Sequence, residues 1–179
     1  MHWVNEARGR AARQQRPNAF LIWRRIPRLV EEQSHLLTED VARTFRQHGI
    51  EAGDDARREC RLFVLWSVHV GLTNLPAGLS RTLLQWLHER RIARASDIIG
   101  ADDAPLYRRR KIEALYVVRN LFLETGEHGL APPLTVRSAR FFVAKAAGGE
   151  QAAPPELLAD MLCLLRRASS TCAAACLGG

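Results

Sequence analysis

The stretch Asp54-Asp55-Ala56-Arg57-Arg58-Glu59-Cys60-Arg61-Leu62-Phe63-Val64-Leu65-Trp66-Ser67-Val68-His69-Val70-Gly71-Leu72 decides the fold class. Its first part is polar, and from Leu62 onward it is apolar on almost every side. A strand competes for it, because Val64, Trp66, Val68 and Val70 alternate. Asp54, however, has the side chain of a helix N-cap, and the segment is longer than an ordinary strand. The reading is therefore a helix, and a helix apolar all round belongs at the centre of a fold. No Asn-Gly or Asp-Gly turn joins two alternating runs elsewhere in the chain, so a hairpin-based sheet has no start.

Working outward toward the N-terminus, Ala19-Phe20-Leu21-Ile22-Trp23 opens an apolar stretch that Pro27 interrupts. Proline lacks a backbone donor and disfavours helix at Ile26, so a short helix and a second one over about Pro27–Leu37 are expected. Thr38 is placed to cap a third, which runs through Phe45 and ends near Gly49. On the other side, Ser80 reads as an N-cap, with Leu79 and Leu84 as its hydrophobic staple and Leu83, Trp86 and Leu87 as the apolar stripe. A short helix over Ser96–Ile99 stops at Gly100, and another follows Asp102-Asp103 and Pro105 as far as Glu124. After the Pro132-Pro133 loop, Thr135–Ala147 and Pro155–Arg167 complete the set, separated by Gly148-Gly149.

The expected fold is all-α, a single globular bundle of about seven or eight helices. Residues 1–17 read as a basic mobile arm, residues 18–168 as the helical domain, and residues 169–179 as a weakly structured tail. Trp23, Phe63, Trp66, Trp86, Tyr116, Phe122 and Phe142 are the expected aromatic core. No internal repeat of solenoid period is present.

Size and composition agree with this reading. A chain of 179 residues buries roughly 70% of its unfolded surface and needs no staple. Its 47% hydrophobic and 25% charged content excludes wholesale disorder. The opening residues Met1–Glu6 lack the apolar segment of a secretory leader. The most apolar run, Leu62–Leu72, is eleven residues, against the ~20 of a membrane span. The four cysteines form no CxxC pair, so free thiols and a cytoplasmic location are expected. Cys60 and Cys163 read as small core residues, while Cys172 and Cys176 share one helix face without the further ligands zinc requires.

The formal charge of +7 is uneven. Residues 1–30 carry +6 (seven arginines against Glu6), residues 31–60 carry −4, and residues 81–120 carry +4. Two stretches are therefore candidates for anion or nucleic-acid contact. One is the helix entrance Tyr107-Arg108-Arg109-Arg110-Lys111, and the other is the arm with Arg8, Arg10, Arg13 and Arg16. The order of elements over residues 80–119 is loosely that of a helix-turn-helix module, whose second helix meets base edges with its N-terminal residues. Asp102 and Asp103 stand beside that surface and would repel phosphate.

Catalytic patterns are thin. None of the six histidines pairs with another at helical spacing, and no nucleophile elbow, dinucleotide fingerprint or P-loop is present. His69 on the apolar helix reads as a core imidazole before it reads as a base. No cofactor or metal is expected. The sequence therefore points to a non-enzymatic helical binding or adaptor protein that takes a protein partner through an apolar groove with a basic rim. A DNA-binding regulator using residues 80–119 and the arm is the second reading.

Overall fold

The computed structural model of the chain describes residues 19–53, 55–87, 134–149 and 153–177. These residues form five helices and no strand. They are α1 (Ala19–Gln47), α2 (Ala56–Thr73), α3 (Ala77–Gln85), α4 (Val136–Ala146) and α5 (Pro155–Leu177). The all-α class holds, but the count of seven or eight helices is not supported.

α2 is the central element. It packs against α1, α3, α4 and α5, and the buried residues run almost all round it, from Ala56 and Cys60 through Leu65 and Val68 to Leu72. The strand alternative for this stretch fails, because Ala56–Thr73 is one continuous helix packed against four others. α1 and α5 pack on each other as well as on α2, and α4 lies on α5.

The largest difference from the sequence reading lies in α1. The segment expected to be three helices is one helix of 29 residues with Pro27 inside it. Proline in a helix interior costs about 3 kcal/mol, because the carbonyl four residues back loses its amide partner. The opposing term is larger. Ile22, Ile26 and Val30, then Leu37, Val41 and Phe45, form one buried stripe at helical spacing. A break at Pro27 would take Ile22 and Ile26 off that stripe, forfeiting about 2 kcal/mol for each. Thr38 starts no helix. Its hydroxyl donates to the Ser34 carbonyl at 2.7 Å, and the Ser34 hydroxyl donates to the Val30 carbonyl at 2.5 Å. Both hydroxyls are thus satisfied within the helix, one turn back.

The stops match the sequence. Gly49 (φ 68°) ends α1 and Gly148 (φ 77°) ends α4, each in the left-handed conformation that favours glycine. The starts are mixed. Thr135 caps α4, its hydroxyl accepting from the Ser138 amide while the Ser138 hydroxyl accepts from the Thr135 amide. Asp55 precedes α2 without a side-chain cap bond, and Asp54 lies outside the described residues. Ser80 is not the cap of α3. That helix begins three residues earlier, after the extended Pro76, and the Ser80 amide already donates to the Pro76 carbonyl at 2.9 Å.

Residues 169–177, read as part of a weak tail, continue α5 to Leu177. Cys172 and Cys176 are buried there on the same face as Leu158, Met161 and Leu165. The core is mainly aliphatic. Leu65, Leu72, Leu83, Leu87, Leu157, Met161, Ile26 and Phe45 are its largest fully buried side chains. Of the expected aromatic core, only Phe142 is buried. Trp23, Phe63, Trp66 and Trp86 are half-buried, and Tyr116 and Phe122 lie outside the described residues. The rings pair edge to face at 5.8 Å, the half-buried Trp23 against Trp86 and the half-buried Phe63 against the buried Phe142.

Candidate binding surface

The sequence-predicted contact residues Tyr107, Arg108, Arg109, Arg110 and Lys111, and the arm residues Arg8, Arg10, Arg13 and Arg16, all lie outside the described residues. Of the helix-turn-helix reading over residues 80–119, only residues 80–87 are described.

Cys60, Cys172 and Cys176 are buried and free. Burial first of all raises their thiols, to about 12 for Cys60 and Cys172 and about 11 for Cys176. The neighbouring Thr38 side chain partly opposes the shift at Cys60. Thiols held this high stay protonated near neutrality, the form in which a thiol is a poor nucleophile. Cys163 departs from the reading: it is exposed on α5, one residue past the half-buried Leu162. Among the described residues no group of three or more His, Cys, Asp or Glu side chains could hold a metal ion. His69 is half-buried on α2. No described helix is long and apolar enough to cross a membrane.

Ion pairs gather where α1 meets α5. Arg167 reaches Asp40 at 2.5 Å, and His48 lies 2.9 Å from Asp160. Asp40 also takes Arg43 at 3.1 Å. Arg166 donates twice to the Leu134 carbonyl, at 2.9 and 3.2 Å, tying α5 to the entrance of α4. These exposed contacts set register more than they stabilise, at about 0–1 kcal/mol each.

A concave surface forms where α2 ends and α3 begins. It is an open depression of about 660 Å³ lined by Thr73, Leu75, Ala77, Ser80, Arg81, Leu84 and Gln85. Its wall is mainly apolar, with Leu75 as the buried floor and Leu84 half-buried beside it. Arg81 is exposed on its edge and has no ion-pair partner among the described residues. His69 does not line it. The sequence carried no signal for this surface, because the turn that creates it, Asn74–Pro76, was assigned to neither helix.

A second feature that the sequence reading passed over lies at the start of α1. Phe20 and Leu21 are 56% and 53% exposed there, beside exposed Arg24 and Arg25. The four-residue spacing of Ile22, Ile26 and Val30 fixes the buried face, and the same spacing puts residues 20, 21, 24 and 25 outside it. That signal was present but was overridden by the helix break assigned to Pro27. No protein-family model, curated protein or solved structure matches this chain.

Proposed function

We propose that this chain is a non-enzymatic helical binding module that takes a segment of a protein partner in the depression between α2 and α3. The observation that carries the reading is the combination of an open, mainly apolar wall with a guanidinium on its edge, Arg81, that has no ion-pair partner among the described residues. Such a groove suits an amphipathic helix that lays apolar anchors against Leu75 and Leu84 and sets a carboxylate beside Arg81. The buried, protonated thiols support a scaffold role over catalysis. Four free thiols also support a reducing, cytoplasmic setting.

The test starts from a photo-crosslinking residue at exposed Gln85 in the full chain, to identify the partner segment in cells. Calorimetry with that purified segment is then expected to show binding weakened at least about tenfold by Leu84→Asp and by Arg81→Glu. Both variants should keep the helicity of the parent chain. Binding unchanged in both variants would overturn the assignment.

The second reading, a DNA-binding regulator, is favoured by one observation: the basic excess concentrates in residues 1–30 and 81–120. It predicts a duplex mobility shift that weakens with salt and whose salt slope falls on Arg108→Ala and Arg110→Ala. The absence of a shift at low salt removes it.

A further inference from the structure

The first turns of α1 carry an ordered sequence of chemistry along the helix axis. Phe20 and Leu21 come first, both more than half exposed. Arg24 and Arg25 follow one turn on, and Arg28 a further turn on, all exposed. The first carboxylates of the helix, Glu31 and Glu32, come about 15 Å along the axis from Leu21. The two apolar residues and three arginines fall within about 140° of arc on the face opposite Ile22, Ile26 and Val30. Arg28 is already paired with Glu32 at 2.6 Å, and the Arg24 guanidinium lies 5.8 Å over the Phe20 ring. Arg25 has no ion-pair partner among the described residues. No acidic residue stands in the first turn.

We infer that this end of α1 docks on an anionic lipid surface, tip first. Phe20 and Leu21 enter the boundary between headgroups and acyl chains, and Arg24 and Arg25 take lipid phosphates one turn behind them. The order of residues favours lipid over nucleic acid. Phosphates of a duplex would use the arginines alike, but nothing along a sugar–phosphate backbone rewards an exposed leucine, whereas the acyl boundary does. It also favours the tip over the flank, because a helix lying flat would bring Glu31, Glu32 and Glu39 against like-charged headgroups.

The experiment is partition of the full chain onto phosphatidylcholine vesicles with and without phosphatidylserine. Binding is expected only to the anionic vesicles. Arg24→Gln with Arg25→Gln should weaken it by about fivefold per arginine, which corresponds to about 1 kcal/mol each. Phe20→Ala with Leu21→Ala should weaken it by at least about tenfold while leaving circular dichroism and the melting temperature unchanged. An environment-sensitive probe placed at L21C in a C163S background should shift to the blue on the anionic vesicles. The same probe at L36C, an exposed position about 22 Å further along α1, should not. No binding to anionic vesicles overturns the inference, and a blue shift at both positions overturns the tip-first orientation. Equal binding by the Phe20→Ala/Leu21→Ala variant, with displacement from vesicles by duplex DNA at matched phosphate, would make this a general polyanion surface and overturn the lipid assignment.

Discussion

Gly71 sits where α2 crosses α5, and nothing larger fits there. A Cβ at this position would stand 3.0 Å from the Cα of Ala173 and 3.3 Å from both Cβ and Sγ of Cys176. The Cys176 thiol in turn lies 3.9 Å from the Val68 carbonyl, so the two helices approach almost backbone to backbone. On an open helix surface Gly→Ala gains about 1 kcal/mol from propensity. At position 71 the methyl meets the main chain of Ala173 and not the end of a flexible side chain, which puts the strain in the upper part of the ordinary range, about 2–3 kcal/mol, so the overpacking dominates. Gly71→Ala is expected to lower stability by about 1–2 kcal/mol, read as a lower urea midpoint with an unchanged slope. Adding Cys176→Ala should restore part of the loss, because it removes the Sγ contact and leaves the Ala173 contact. A Gly71→Ala chain as stable as the parent would mean the helices are not this close.

At the scale of elements, α1 shows what local rules omit. Pro27 is a breaker by every local criterion, yet the helix passes through it, because the stripe Ile22-Ile26-Val30-Leu37-Val41-Phe45 is worth more than one lost backbone bond. The stripe was legible in the sequence, but its energetic priority over the proline was not, since that depends on α2 and α5 standing opposite. The end of α5 was illegible for a related reason. Cys172, Ala173 and Cys176 are small and give little apolar periodicity, although their smallness is what admits α2 at Gly71. The glycine stops at Gly49 and Gly148 and the start of α4 beside Thr135 were legible because each depends on the local chain alone. Pro27→Ala returns an amide donor to the Trp23 carbonyl inside an intact helix. It is expected to raise stability by about 1–3 kcal/mol, or about 2–4 °C in melting temperature per kcal/mol for a chain of this size. A lower melting temperature would show that the half-buried proline ring contributes more by packing than the missing bond costs.

At the scale of the whole molecule, the central α2 and the C-terminal α5 bury three thiols, Cys60, Cys172 and Cys176, in one continuous core. Of the candidate surfaces, the depression beside Leu75 was illegible, since it arises from what neighbouring helices leave uncovered, whereas the exposed face at the start of α1 follows from the spacing of Ile22, Ile26 and Val30 once α1 is one helix. The buried thiols, by contrast, give the fold a definite pH dependence. Below about pH 9 they are protonated in both folded and unfolded chains, and their contribution is complete. Above that the unfolded chain releases their protons while the folded chain keeps them, up to about 11 for Cys176 and about 12 for Cys60 and Cys172. The unfolded state then binds fewer protons, so stability falls as pH rises, by up to about 1.4 kcal/mol per pH unit for each thiol. Few other groups confuse that window, because 24 of the 26 basic residues are arginines, which stay charged throughout, and the chain has only two lysines and two tyrosines. Urea midpoints are therefore expected to be level to about pH 9 and to decline steeply above it. Cys172→Ala should lessen the decline by about one third, since it removes one of the three buried thiols. A level profile through pH 10.5, about one and a half units above the ordinary thiol value, would mean these sulfurs titrate alike in the folded and unfolded chain and are not enclosed between α2 and α5.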